Sequence, residues 1–283
     1  MHIAVIGATG LLGRHLLPRL VECGHTVKAN WRNENSVPAI LTTGAEPVEA
    51  DILDKHSLAS LISDTDAVVN LATSIPATGS AATWEMNDRI RRDGTRNLLE
   101  AAKSLNCPRI IQQSVCLVHA GLGDEWVNEA SPRTPGPVTA SAIEMEDMLA
   151  SSGLDVRIAR GGTFYGPGTA RMPQWISLAR AAKLRVPGDG SEWLSLIRVE
   201  DMASACLALT GGEGLSGAWL VVDGCPVTYR DLFDHLAAGA NIGAIADGGP
   251  PLLPGVRASN AALLKQTGWH PAFTSWRSGL SVN

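Results

Sequence analysis

The chain has 283 residues, 45% of them hydrophobic, and a formal net charge of −5. This is enough apolar material for a sizeable core, and with no run of Lys or Arg it argues against a nucleic-acid partner. No apolar stretch reaches membrane-spanning length, and Met1 leads straight into a strand-like segment with no secretory pattern, so the expectation is a cytoplasmic protein with no membrane partner.

In chain order, His2 to Ile6 reads as a strand. The helix after Gly10 carries Leu12, Leu16, Leu17 and Leu20 on one side, and Gly24 ends it. His25 to Ala29 is a second strand, Ala67 to Leu71 a third and Arg109 to Gln113 a fourth. Between the last two, Gly94 to Leu105 is a helix with Leu98, Leu99, Ala102 and Leu105 in period. Strands alternating with helices at this spacing predict βαβ units, a parallel sheet and right-handed crossovers. After Gly168 the texture changes. Met172 to Leu184 reads as a helix, Pro187 to Gly190 as a turn and Trp219 to Val222 as a strand. Thr228 is placed to cap a helix from Tyr229 to Ala237. Gly239 to Gly255 is Gly/Pro/Ala-rich and reads as a loop, and no internal repeat is visible. The expectation is a doubly wound α/β Rossmann sheet, mainly residues 1–167. Residues 168–283 are expected to form mainly a smaller substrate-binding lobe, with some segments returning to the sheet.

The five cysteines, Cys23, Cys107, Cys116, Cys206 and Cys225, form no C-x-x-C pair and are odd in number, which predicts reduced thiols. The seven histidines are scattered, with no metal-ligand spacing, so no bound metal is expected.

The chemistry-bearing signal is Gly7-Ala8-Thr9-Gly10-Leu11-Leu12-Gly13, between a strand and a helix. Glycine permits the tight turn and close approach of backbone to a pyrophosphate, and the helix N-terminus offers free N–H groups and a positive dipole. A dinucleotide fold that takes NAD usually has an acid about 20 residues on. Here the stretch reads Ala29-Asn30-Trp31-Arg32-Asn33, with no acid. Arg32 suits a 2′-phosphate, which favours NADP(H). The alternative is a solvated Arg32 paired with Glu34.

These residues resemble the extended and atypical short-chain dehydrogenase/reductases, and the likeness runs the length of the chain. Glu49-Ala50-Asp51-Ile52 resembles the segment whose Asp and following apolar residue meet the adenine. Asn70-Leu71-Ala72-Thr73 resembles the strand end beneath the cofactor ribose. Gly94 to Ala102 matches a characteristic family helix. Arg160-Gly161-Gly162-Thr163-Phe164-Tyr165-Gly166-Pro167-Gly168 resembles the loop that packs on the nicotinamide. Arg198 to Ala203 and Thr267 to Pro271 are further landmarks. Among atypical reductases the chain looks most like the angucyclinone (simocyclinone-type) ketoreductases of actinomycete antibiotic pathways.

The resemblance implies a catalytic Ser/Thr plus Tyr-x-x-x-Lys, and here the chain departs from it. Ser114 falls where the family Ser is expected; the alternative is a Ser that merely ends a strand. Aligning on Glu144-Met145-Glu146 puts Val138 at the Tyr position and Ala142 at the Lys position. The only two tyrosines, Tyr165 and Tyr229, have Thr169 and Phe233 four residues on, so the motif is absent. Losing a positioned acid removes about 10²–10⁴ of rate, not hydride transfer itself. Two readings follow. One is an NADPH-dependent ketoreductase acting on a polycyclic aromatic ketone, with Trp84, Phe164, Met172, Trp175 and Trp193 lining a pocket for a flat substrate. The other is a catalytically silent NADP-sensing regulator, like the NmrA-like relatives that also lack the motif. A third, a sugar-nucleotide epimerase or dehydratase, fits less well because those reactions rely directly on the Tyr/Lys pair. The aromatic residues have a plainer reading as core and lobe packing. Tyr165 is a fallback acid, and His119 either reaches the pocket or is a satisfied structural histidine.

Overall fold

The computed structural model describes residues 1–75, 81–249 and 254–280, with 81–83 as backbone only. The first half runs β1 (His2–Ile6), α1 (Leu11–Glu22), β2 (Thr26–Trp31), α2 (Val37–Thr42), β3 (Glu46–Glu49), α3 (Lys55–Ile62) and β4 (Ala67–Asn70). Next come α4 (Ala81–Arg89), a π-helical turn (Ile90–Gly94), α5 (Thr95–Ser104), β5 (Arg109–Val115), β6 (Trp126–Val127), α6 (Ala140–Ala150) and β7 (Asp155–Gly161). The second half continues with β8 (Thr163–Tyr165), α7 (Arg171–Arg180), β9 (Val186–Pro187), β10 (Trp193–Leu194), β11 (Leu196–Arg198), α8 (Val199–Ala208) and β12 (Gly217–Val221). It ends with β13 (Val227–Thr228), α9 (Tyr229–Gly239), β14 (Asp247–Gly249), β15 (Arg257–Ala258), α10 (Ala261–Thr267) and α11 (Trp276–Gly279).

Seven strands form one sheet in the order β12-β7-β5-β4-β1-β2-β3, and every pair in it is parallel. This is the doubly wound Rossmann-like architecture. The chain steps outward through β2 and β3, then returns to the other side of β1 at β4. The switch point between β1 and β4 opens a crevice at the carboxyl ends of the strands.

Both faces are covered. On one, Leu12, Leu16 and Leu20 of α1 pack with Ile3, Val5, Met202 and Cys206. On the other, Leu58 and Leu61 of α3 and Leu98 of α5 pack with Ala4, Ile6, Val68 and Met145. A parallel sheet buried on both faces reads as continuous apolar runs, which is why β1 and β4 stand out in the sequence. β12 comes from beyond residue 168 and pairs along β7 from Gly217↔Arg157 to Val221↔Gly161. A separate core of Trp175, Leu232, Phe233, Leu236 and Trp276 holds the lobe.

Two sequence expectations change. The helix expected over Met172 to Leu184 ends at Arg180; Ala182 takes a positive φ of 52° and turns the chain. The segment expected as a loop contains β14, which pairs with β9, while positions 250–253 lie outside the described residues.

Candidate active site

The Gly7 loop is fixed from three sides. Gly7 has φ +81°, and an added Cβ would lie 2.8 Å from the Leu71 carbonyl carbon. A Cβ on Gly13 would lie 2.3 Å from the Ala8 carbonyl oxygen, so α1 can sit this close to the loop only without one. Asn30 of β2 does the third job. Its Oδ1 accepts the Gly7 and Ala8 N–H groups at 2.8 and 3.1 Å, and its Nδ2 donates to the Ala50 carbonyl at 2.9 Å. Thr9 and Gly10 are exposed, Leu11 is half-exposed, and Leu12 and Gly13 are buried. α1 starts at Gly10 with no side-chain cap and no acid in its first turn. Its N–H groups and positive dipole are left for an anion, the donor set a pyrophosphate needs. The residues present fit a dinucleotide.

Beyond the switch point, Trp31, Arg32, Glu49, Ala50, Asp51, Asp54 and Ser57 line a cleft of about 410 Å³ at the ends of β2 and β3. Arg32 pairs here with Asp51 at 3.5 Å, not with Glu34, and both side chains are exposed. Asp51 also accepts the Leu53 N–H at 2.9 Å. Ile52 is buried, lies against Gly94 and gives its carbonyl to Asn97 at 3.0 Å; it belongs to the core more than to the cleft. Across the sheet, Leu71 is buried, Ala72 half-buried and Thr73 exposed. Gly161 ends β7 and Gly162 follows it, and both are buried. A Cβ on Gly162 would lie 2.5 Å from the Ser195 carbonyl oxygen, and Thr163 donates its N–H to the same oxygen at 2.8 Å.

The expected catalytic positions look different. Ser114 is buried, and its hydroxyl donates to Glu146 of α6 at 2.7 Å. Glu146 also accepts from Arg160 at 2.6 Å, both side chains being buried, and from Arg133 at 3.4 Å. Arg160 in turn donates to His119 Nε2 at 2.8 Å. Since Arg only donates, Nε2 is an acceptor, so Nδ1 carries the hydrogen and donates to the Pro132 carbonyl at 3.0 Å. His119 is therefore a neutral, satisfied structural histidine, and burial lowers its pKa. Ser114 is turned into this network beneath the sheet face.

Val138 is half-buried and Ala142 fully buried; neither side chain carries a proton to transfer. The fallback acid, Tyr165, is corrected here. It is 0% exposed, sits in the lobe core, and burial pushes its pKa up. At the head of α6 the structure brings in Arg91 instead, which the sequence reading missed. It is buried and donates to the Val138 carbonyl at 2.9 Å and the Ser141 hydroxyl at 3.1 Å. Ser141 in turn donates its hydroxyl hydrogen bond to Asp88 at 2.6 Å.

Residues 3–221 match the model of the NAD dependent epimerase/dehydratase family. The chain belongs to this family. A 3-diazoavenalumate denitrifying reductase of a Streptomyces species is 30% identical over 99% of this chain and 99% of its own length. A farnesyl-dihydroquinoline-oxide ketoreductase of Stigmatella aurantiaca is 26% identical over 83% of this chain and 72% of its own. Among solved structures, a dTDP-glucose 4,6-dehydratase of Streptomyces venezuelae with NAD bound superposes with a TM-score of 0.82 at 21% identity, covering 99% of this chain and 94% of that one. That last likeness is one of fold.

In this epimerase/dehydratase family member the five aromatic and apolar candidates for substrate contact do not converge. Met172 and Trp175 are lobe core, where Trp175 meets Phe233 and Tyr229 edge-on at 5.1 and 6.0 Å between ring centroids. Phe164 is half-buried and packs against the core that holds Met202. Trp193 donates to Asp124 at 2.7 Å, and the Arg257 guanidinium lies over the Trp193 and Trp126 rings, 4.5 Å from each centroid. Trp84 stands half-exposed on α4. A bulky apolar side chain satisfies lobe packing and ligand contact equally well, so the sequence did not separate the two. Among the described residues no cluster of His, Cys, Asp and Glu suits a metal ion, the five cysteines are free, and no helix is long and apolar enough to cross a membrane.

Proposed function

We propose that this protein is an NADPH-dependent reductase that delivers hydride to an aromatic substrate without a protein acid. The observation that carries the reading is the contrast between a glycine cradle built for a dinucleotide and a catalytic turn with Val138 and Ala142 in it. NADPH, when bound, supplies the hydride. Gly7, Gly10 and Gly13 would hold its pyrophosphate, Arg32 its 2′-phosphate and Gly161 to Thr163 its nicotinamide end. The chain's contribution is to orient donor and acceptor, which is worth about 7–11 kcal/mol of barrier.

The acceptor is a ketone on a polycyclic, angucyclinone-like aromatic polyketide. A phenol beside the ketone hydrogen-bonds the oxygen as negative charge develops on it, replacing a protein donor worth roughly 2.7–4 kcal/mol. The ketoreductase relative from Stigmatella supports a carbonyl acceptor. A second reading is favoured by the full-length relative named for a diazo substrate. An aryl diazonium accepts hydride and leaves as arene and dinitrogen, and no alkoxide forms that would need a proton. The test is turnover, under saturating NADPH, of a phenolic ketone, its O-methyl ether and an aryl diazonium. Fast reduction of the free phenol and slow reduction of the ether support the ketoreductase. Stoichiometric dinitrogen release supports the second reading. Equal turnover of phenol and ether means that the proton comes from protein or water.

A further inference from the structure

We infer that Asn87 and Arg91 form a buried donor pair that binds the ribose of the nicotinamide nucleotide. The inference rests on the dinucleotide reading above. The two residues lie one helical turn apart, where α4 passes into the π-helical turn, and both are buried. π-helical turns are rare and gather at functional sites.

Each is tied to a different wall of the crevice. Asn87 Oδ1 accepts the Ser74 N–H at 3.0 Å, in the segment that follows β4 and whose Leu71 and Ala72 touch Gly7. Arg91 holds the Val138 carbonyl and the Ser141 hydroxyl at the head of α6. Together they span from the β4 end to α6. The sheet order places this span on the β4–β5 side of the switch point, opposite the cleft at β2 and β3. A dinucleotide crossing the Gly7 loop with its adenine half at Arg32 and Asp51 must lay its other half here.

Two features call for an acceptor from outside. Asn87 Nδ2 is buried and has no hydrogen-bond partner among the described residues, a state that native structures rarely leave unfilled. The Arg91 guanidinium, whose charge is balanced by Asp88 and Glu146 nearby, gives both of its bonds at α6 to neutral oxygens out of the five N–H donors that a guanidinium carries. Vicinal ribose hydroxyls accept from both donors, and the position is one where Ala142 offers nothing.

The test is binding, so it needs no substrate. Titration calorimetry is run with NADP⁺ against 2′,5′-ADP, and with NAD⁺ against ADP, on wild type, Arg91→Gln, Arg91→Lys and Asn87→Asp. The adenine halves reach only the β2–β3 cleft. The expected result is a loss of about tenfold or more in dinucleotide affinity for Arg91→Gln and Asn87→Asp, with the adenine half changed less than about twofold. Arg91→Lys should recover affinity to within about threefold. A purely structural role lowers the melting temperature but leaves the ratio of dinucleotide to half-ligand affinity unmoved, and that outcome overturns the inference. So does a wild type that binds no dinucleotide. Should Arg91→Gln fail to fold, Asn87→Asp decides the matter by the same ratio. A lowered ratio in the variants, together with no reduction of any substrate by the wild type, would instead sink the reductase reading and leave this one standing.

Discussion

The Ser114 hydroxyl donates to the Glu146 carboxylate across 2.7 Å, and both side chains are buried. Glu146 keeps its bonds to Arg160 when that hydroxyl is removed. Ser114→Ala should therefore cost about 1.5–3 kcal/mol in urea unfolding, the range for a hydrogen bond to a charged group. Turnover should fall about tenfold or less, since Ser114 acts at most by orienting its surroundings. A loss of thousands-fold would show that Ser114 belongs to a proton relay.

Arg32 and Asp51 form an exposed pair at 3.5 Å, worth at most about 1 kcal/mol to the fold. Arg32→Ala should leave the melting temperature nearly unchanged while costing on the order of 1.5–3 kcal/mol toward NADPH and little toward NADH. Calorimetric titration of both cofactors checks this. Equal wild-type affinities for the two would remove the case for NADP.

Asp223 is 3% exposed. Its Oδ1 accepts the Cys225 N–H at 2.9 Å, and its Oδ2 has no partner among the described residues. Burial, helped by Asp201, raises its pKa to about 7. The native state then holds a proton that the unfolded state releases near the ordinary carboxylate range, so stability is present at low pH and lost as pH rises toward 7. Asp223→Asn mimics the protonated form. It should match wild type at pH 4 and exceed it at pH 8 by about 1–3 kcal/mol, since each tenfold change in proton affinity on folding is worth about 1.4 kcal/mol. Equal stabilities at pH 8 would mean that the carboxyl ionises without penalty.

Gly13→Ala should cost about 1–3 kcal/mol through overpacking against the Ala8 carbonyl. Gly10 is exposed, and its added Cβ meets only the Gly7 carbonyl oxygen, at 3.1 Å. Gly10→Ala should leave the melting temperature unchanged but reduce its rise on adding NADP⁺. The reverse ranking of the two variants in thermal melts would show that the loop is not seated as described.

The sequence announces the cradle because three glycines, a strand and a helix coincide in one short run. The role of Asn30 was hidden because it depends on β2 lying beside that loop, a contact made across 23 residues. The direction of Ser114 was equally hidden. Both faces of the parallel sheet are apolar, so alternation along Arg109 to Val115 does not reveal which face carries the chemistry. Arg91 sits among Arg89 and Arg92 in a charged stretch that reads as a solvated helix surface, and only the packing of the π-helical turn against α6 buries it. The family landmarks gave the fold its outline, while Met172 and Trp175 show that an aromatic or apolar residue near a landmark tells nothing of whether it faces a ligand.

The pairing of β12 along β7 also bears on how the chain is made. Synthesis is vectorial, and β7 leaves the ribosome some 60 residues before its partner strand is complete at Val221. Over that interval β7 is an open edge with unsatisfied backbone groups, and Leu12 and Leu16 of α1 lack the cover of Met202 and Cys206 from α8. The nascent chain therefore passes through a stage in which its nucleotide-binding half is nearly whole yet sticky. Holdase chaperones that recognise apolar strand edges should engage it there, and a stop placed between residues 170 and 200 should give an insoluble fragment instead of a small, independent nucleotide-binding module.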